Sequence, residues 1–392
     1  MTATDVRAHP EGGQSLLVVG ASEVFDVPEA TAVRIEDGLI TGFDERGWNG
    51  PVLDVEGRAV VPGFVDAHTH LLFAGERREE FAARVAGHPY EAGGIQTTVR
   101  ATRAASDDDL VRTASARARR MLADGTTTVE VKTGYVLETE GELHHLELAG
   151  RITGPRVEPT FLAHLPPYDP LPALPRLPEG TPVDVFCDEG AYSVEQTRAI
   201  LTEARRLGLP TRLHANELGH TGGIALAAEF GCRSADHVLF ATETDARLMA
   251  DAEVVAALLP ATSFCLGVEY APAQRFLDAG VQIALGTDCN PGTSYVTSMP
   301  FVLGLGVSGY RLHPTVAVRA ATAGSARALG LPDRGELRPG MLGDLAILDS
   351  ESHLDVGYRP PLGVWATVLG GEVVAGHEAT ARSTAGFAGP GG

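Results

Sequence analysis

Residues 60–81 read VVPGFVDAHTHLLFAGERREEF. An apolar run ending in His-x-His has the pattern of a buried strand that carries two imidazoles at its C-terminal tip, because alternate strand residues point the same way. His68 and His70 therefore share a face, and two imidazoles on one face are half of a divalent-metal site. Arg77 follows seven residues after His70, inside a charge run that by itself reads as solvated surface.

Outward from this stretch the chain alternates strands and helices. TTTVEVKTGY (126–135), RVEPTFLAH (156–164), PVDVFCDEG (182–190), LPTRLHANE (209–217), CRSADHVLF (232–240), VVAALLP (254–260) and VQIALGTDCNPG (281–292) read as strands. SDDDLVRTASARARRMLADG (106–125) predicts a helix with Ser106 as N-cap, aspartates at the positive end of its dipole and Gly125 past its C-terminus. SVEQTRAILTEARRLG (193–208) predicts another, opened by the capping-box pair Ser193 and Gln196. With VVPGFVDAHTH counted first, eight strands in a βα rhythm predict an α/β fold, a (β/α)8 TIM-like barrel.

The two ends of the chain follow a different pattern. TAVRIEDGLITGF sets Asp37-Gly38 between alternating apolar residues, a hairpin signal, and MLGDLAILD with ATVLGGEVVAG repeats the style around Gly370-Gly371. These strands predict a small β-sandwich formed by both chain ends, from residues 1–60 and 337–392, around a barrel over 61–336.

At 392 residues the chain suits one large barrel plus a minor domain. A net charge of -20 argues against nucleic acid or an anionic membrane, both of which need an excess of cations, and favours a small-molecule substrate. Cys187, Cys232, Cys265 and Cys289 lie far apart with no C-x-x-C spacing, so no thiolate metal knuckle or disulfide framework is indicated. The opening segment lacks a basic region followed by a long apolar core, and the expectation is a cytoplasmic protein. A homodimer is expected only from the general frequency of twofold enzymes. Lys132 is the single lysine among 31 basic residues.

The functional signal is where the polar residues fall. His68 and His70 close the first strand, Lys132 and Tyr135 the second, His164 the third, His214 and Glu217 the fifth, His237 the sixth and Asp288 the eighth, which places them all at one mouth of the barrel. Three imidazoles and a carboxylate around an open position suit a catalytic zinc or a similar ion, so His68, His70, His214 and Asp288 are the candidate ligands. Such an ion lowers the pKa of water to around 7. Glu217, three residues after His214, is placed to take a proton from that water and pass it to a leaving nitrogen; the alternative is a residue that only orients a ligand. His237 is placed to polarise the attacked carbonyl. His9, His88, His144, His145, His220, His313, His353 and His377 are read as structural.

PGFVDAHTH, GTTTVEVKTGY, LHANE, SADH and GTDCNPG, in this order, resemble the metal-dependent amidohydrolase superfamily, and HTHLLFAGERREEF, TRAAS, VKTGY and SADHV resemble its imidazolonepropionase family in particular. The resemblance covers nearly the whole chain. It implies hydrolysis of the cyclic amide of 4-imidazolone-5-propanoate to N-formimidoyl-L-glutamate, with one zinc or iron ion on His68, His70, His214 and Asp288. It further implies substrate contacts from Arg77, Tyr135, His164, Glu217, Asn290, Gly292 and Thr293, and proton or carbonyl chemistry from Glu217, His237 and Asp288. A planar guanidinium suits a propanoate tail, and Tyr135 and His164 suit a flat polar ring.

Binuclear relatives bridge two metals through a modified lysine on the fourth strand; PVDVFCDEG has none, so one ion is expected, and Lys132 is unassigned. The loops around GHPYEAGGIQ and after His164 look shorter than in typical relatives. Other readings stay open: another cyclic amidohydrolase or a purine or pyrimidine aminohydrolase of the same superfamily, or a barrel that binds a ligand without catalysis. For Arg77 the alternative is a surface charge, for Tyr135 a packing residue, and for Asn290-Pro291-Gly292 a turn.

Overall fold

The computed structural model describes residues 14–86 and 94–376. His9, His88, His377 and most of the GHPYEAGGIQ loop lie outside the described residues. Gly63 divides the opening stretch: what reads as one strand from Val60 to His70 is two, Ala59–Pro62 in a terminal sheet and Phe64–Asp66 in the barrel. The Gly63 amide donates to the Asp344 carbonyl at 2.8 Å on the terminal side, while the Phe64 amide donates to the Gly125 carbonyl at 2.9 Å on the barrel side. A Cβ at Gly63 would collide with the Thr127 side chain, so this crossing point requires the smallest residue. Periodicity could not show the break, because both halves are buried and apolar.

Eight parallel strands follow in sequence order around one sheet: Phe64–Asp66, Thr126–Lys132, Arg156–Ala163, Val183–Cys187, Thr211–Ala215, Ser234–His237, Val255–Leu258 and Ile283–Leu285. Surrounding helices cover the sheet, as the βα rhythm predicts. Helix Asp107–Ala123 is capped by the Ser106 hydroxyl, which accepts the Asp109 amide, and buries Leu110, Ala114, Ala118 and Met121. Helix Val194–Arg206 starts with both bonds of the Ser193–Gln196 capping box.

The barrel closes beyond the ends of its first and eighth strands. The Asp288 amide donates to the His68 carbonyl at 2.9 Å and the His70 amide to the Cys289 carbonyl at 3.0 Å. Deeper in the seam, Asp66 accepts the Thr287 amide at 3.0 Å and the Thr287 hydroxyl at 2.7 Å. Burial pushes the Asp66 carboxyl up to about 7 against those donors. The segments that close the barrel are thus the ones that carry His68, His70 and Asp288.

Two further sheets complete the fold. One runs in the order 39–42, 33–36, 16–19, 52–54; the other, 372–376, 364–369, 345–348, 59–62, 23–24, draws on both ends of the chain. Asp37 and Gly38 take φ of 49° and 79°, and Gly370 and Gly371 take 56° and 83°, the left-handed pairs that two-residue hairpins need. Gln14 ties the sheets together, donating to the Gly370 carbonyl and accepting the Gly38 amide. The cysteines are free, and no described helix is long and apolar enough to cross a membrane.

Candidate active site

His68 and His70 sit just past the first barrel strand, His214 within the fifth, and Asp288 three residues past the eighth. All four are buried. His68 Nε2 lies 3.3 Å from His70 Nε2, and Asp288 Oδ1 lies 3.6 Å from the first and 3.5 Å from the second. Donor atoms of His68, His70 and His214 all fall within 4.8 Å of one another, as do those of His68, His237 and Asp288. Among the described residues these are the groups of this kind.

Three of the four donors, His68, His214 and Asp288, have partners behind them. His68 Nδ1 donates to Asp236 Oδ2 at 2.6 Å, and His214 Nδ1 lies 3.0 Å from Asp184 Oδ2. A carboxylate on Nδ1 fixes the tautomer that leaves Nε2 as a lone pair. Thr262 donates to Asp288 Oδ2 at 2.6 Å, which leaves Oδ1 facing the imidazoles. Burial holds His68 and His70 well below the usual histidine range and pushes Asp288 up to about 6. For His214 burial opposes the charged form too, but Asp184 outweighs it and the net shift is upward. Converging lone pairs 3.3 Å apart in a buried site repel unless a cation or proton lies between them, and His3Asp is a donor set for zinc or iron. The residues present therefore fit a metal ion.

Below the donors lies a sealed layer of charge. Lys132 Nζ is 2.6 Å from Asp184 Oδ2, 2.8 Å from Glu130 Oε2 and 3.7 Å from Asp236 Oδ2. Arg212 donates to Glu130, to Asp236 Oδ2 at 2.9 Å, to Ser234 Oγ at 2.9 Å and to the Ala67 carbonyl at 2.8 Å. These five ionisable side chains are completely buried. Burial disfavours the Lys132 ammonium, as does Arg212, yet the three surrounding carboxylates raise its pKa overall. Lys132, unassigned from the sequence, thus sits among the ion pairs of this layer.

Strand parity explains the layer. In Thr211–Ala215, Arg212 and His214 share the inward face; in Val183–Cys187, Asp184 does; in Thr126–Lys132, Glu130 and Lys132 do. Asp184, Arg212 and Asp236 were missed in the sequence, although counting back two residues from His214 reaches Arg212.

Glu217 and His237 meet at the rim, with His237 Nδ1 3.6 Å from Glu217 Oε1. By parity His237 would point opposite to Asp236, but its φ of 69° turns it back. Asp288 and Asn216 also have positive φ, 50° and 51°, so backbone strain collects where strands become loops. Asp188 accepts the Glu217 amide at 2.6 Å and the Leu218 amide at 3.0 Å, fixing the loop under Glu217. Burial, then the nearby Asp288 charge, pushes Glu217 up to about 8.

The remaining expected residues form two groups. Tyr135 and His164 pack with the donors: ring centroids are 6.0 Å apart for His70–Tyr135, 5.8 Å for His70–His164 and 5.5 Å for Tyr135–His164. Burial holds His164 down at about 4, a neutral ring. Arg77, Gly292 and Thr293 line a cavity of about 420 Å³ with Phe81, Arg84 and Tyr295. Glu80 takes one edge of the Arg77 fork, Nε to Oε2 at 2.8 Å and Nη2 to Oε1 at 2.5 Å. The Asn290 side chain works inside its own loop, donating to the Asp288 carbonyl at 2.7 Å and accepting the Gly292 and Thr293 amides at 2.8 Å each.

Elsewhere, His144 pairs with Asp107, His220 with Asp245 and His353 with Glu23, in keeping with structural roles. A larger cavity, about 760 Å³, opens beside the start of the eighth strand, away from the mouth. Arg319, Arg327 and Arg338 on its wall are paired to Asp26, Glu253 and Glu336.

The amidohydrolase family model matches residues 59–375. The chain is 47% identical over 357 residues to imidazolonepropionase of Salinispora arenicola, covering 86% of this chain and 90% of that one. It is 43% identical over 408 residues to imidazolonepropionase of Rhodococcus jostii, covering 96% and 98%. Atrazine chlorohydrolase from Arthrobacter aurescens, solved with zinc, shares the fold at a TM-score of 0.70 and 18% identity, over 92% of this chain and 95% of that one. The matched span takes in all eight barrel strands and the five-stranded terminal sheet save its edge, so the chain belongs to the amidohydrolase family and stands with its imidazolonepropionases.

Proposed function

We propose that this protein hydrolyses 4-imidazolone-5-propanoate to N-formimidoyl-L-glutamate, as an imidazolonepropionase. The observation that carries the reading is the pairing of a His68, His70, His214, Asp288 donor cluster with a guanidinium, Arg77, beside Gly292 in the loop that leaves Asp288. The first is the equipment of a hydrolase and the second suits the propanoate. In the reaction the ring C–N amide bond breaks, the carbonyl carbon gains the hydroxyl of water and the ring nitrogen gains a proton. His68, His70, His214 and Asp288 would hold one zinc or iron ion, which supplies Lewis acidity toward water at neutral pH.

The chain's own groups carry the rest. Glu217 accepts a proton from water and returns it to the leaving nitrogen, a role suited to a carboxylate on the loop just past His214 whose backbone Asp188 holds in place. His237, next to Glu217, faces the carbonyl oxygen and donates to it as charge develops. Tyr135 and His164 wall the ring, and Arg77 takes the carboxylate at the mouth while Asn290 keeps Gly292 and Thr293 in place. The protein is assigned to the cytoplasm as part of this reading.

The test follows imidazolone-propanoate absorbance with purified protein, before and after a chelator. We expect turnover that the chelator abolishes and zinc or iron restores. Loss of substrate that ignores the chelator would sink the metal assignment, and turnover of a hydantoin or a purine but not of imidazolone propanoate would move the protein to another amidohydrolase activity.

A further inference from the structure

We propose that Glu142 is a positioning residue for substrate binding: its buried carboxylate fixes the loop 133–137 so that Tyr135 and His164 stand correctly at the mouth. This rests on the reading of those two side chains as substrate contacts. Glu142 lies in the first turn of helix Thr139–Ala149 and is fully buried. Its Oε2 accepts the Gly134 amide at 2.6 Å, and its Oε1 accepts the Val136 amide at 2.8 Å and the Leu137 amide at 2.6 Å. The Thr133 hydroxyl bonds to it as well.

Left-handed backbone at Gly134, φ 111°, and Leu137, φ 58°, folds the loop into a concave row of amides that converge on this one carboxylate. The bonds bracket Tyr135 on both sides. The same loop orients His164, whose Nδ1 donates to the Gly134 carbonyl at 2.9 Å, and a Cβ at Gly134 would press against the His164 ring. One side chain, outside the mouth, therefore sets the placement of two that face it.

The geometry is not that of an ordinary helix start. Glu138, at the N-cap, makes no side-chain cap bond, and Glu142 instead reaches back past the cap to amides two, four and one residues before it along the loop. Its partners there are neutral amides and a hydroxyl. Replacing one carboxylate oxygen by an NH2 group faces donor with donor, so Glu142→Gln loosens the loop without a large change in volume.

The experiment measures kcat and KM for imidazolone propanoate, with bound metal counted, for Glu142→Gln, Tyr135→Phe, His164→Asn and the Glu142→Gln, Tyr135→Phe double variant. We expect KM to rise about 10-fold in Glu142→Gln with kcat within about 3-fold of wild type and metal content unchanged, the pattern of lost ground-state and transition-state binding alike. In the Tyr135→Phe background the same change should raise KM by less than about 3-fold, because the two residues act as one unit. A fall in kcat at constant KM, as from a fraction of misfolded enzyme, would overturn the proposal, and so would full additivity.

If Tyr135→Phe and His164→Asn leave KM untouched, it is the substrate-contact reading that fails. If they raise it and Glu142→Gln does not, this inference fails alone. Should Glu142→Gln not accumulate, hydrogen exchange of the wild-type protein decides: the amides of Gly134, Val136 and Leu137 must exchange slowly, and solvent-like rates there would refute the clamp.

Discussion

The layer under the metal donors and the mouth above them use the same chemistry, arginine against carboxylate, in opposite settings. Below, Arg212 and Lys132 meet Glu130, Asp184 and Asp236 on strands, with no solvent access. Above, Arg77 meets Glu80 at the start of helix Arg78–Val85, and the Glu80 side chain is a quarter exposed. Strand residues two apart are locked by the sheet, so the lower layer can hold an ion's ligands to within a fraction of an ångström; turn-borne residues cannot be held so tightly but can let a substrate pass. The comparison predicts that damage below shows up as lost fold and lost metal, and damage above as lost substrate.

The largest effect should come from Lys132→Met. It leaves Glu130 and Asp184 buried without the ammonium between them, and breaking a buried ion network on one side costs about 3–5 kcal/mol. Urea unfolding of the metal-free protein measures it. A loss under about 1 kcal/mol would mean that the lower layer is no more tightly coupled than the mouth.

Arg77→Ala comes next, on a different readout. Removing one partner of a desolvated charge pair costs about 2–5 kcal/mol, so kcat/KM for the propanoate substrate should fall on the order of 100-fold with metal content unchanged. Arg77→Lys should recover little, since an ammonium cannot present the planar fork. Unchanged turnover in Arg77→Ala would leave the cavity by Gly292 without a role in binding the acid.

How much of this was legible in the sequence follows the same division. His68, His70, His214 and Asp288 could be read because each ends or follows an apolar run, and strand ends of a barrel face one mouth. Their partners Asp184, Asp236 and Arg212 were missed: a polar residue inside an apolar strand signals its partner only once the neighbouring strands are in register, as Asp184 with Arg212 is. The break at Gly63 was invisible for the converse reason, that both flanks are apolar and the change of sheet leaves no periodic trace. Arg77 was readable only through the resemblance, because its own neighbourhood is a run of charges. For Asn290, the sequence-level reading as a turn describes its hydrogen bonds well.

Asp236→Asn tests the join between the two regions. It removes the charge that holds the His68 tautomer while keeping a side chain of the same size, and changes of this kind weaken metal binding by roughly 10–100-fold. Competition with a chromogenic chelator gives the number. An affinity within about 2-fold of wild type would show that Nδ1 of His68 needs no carboxylate behind it.

The smallest effect, and the one that separates mouth from lower layer most cleanly, is Gly292→Ala. A Cβ there falls inside contact distance of Arg77 Nη1 and Cζ, so one of the two must move. The backbone of Gly292 is held by Asn290 and its φ is not in the left-handed region, so alanine itself fits the chain. The guanidinium is the far end of a flexible side chain, and it yields at little energetic cost. Stability and metal content should therefore stay within experimental error, while KM rises about 3- to 10-fold because the fork no longer meets the propanoate squarely. Had the same intrusion occurred against Arg212, which four hydrogen-bonded partners hold in place, the strain would have gone into the strands. A KM unchanged in Gly292→Ala, with Arg77→Ala still impaired, would mean that Arg77 reaches the substrate by the edge now paired with Glu80, and Glu80→Gln should then lower KM.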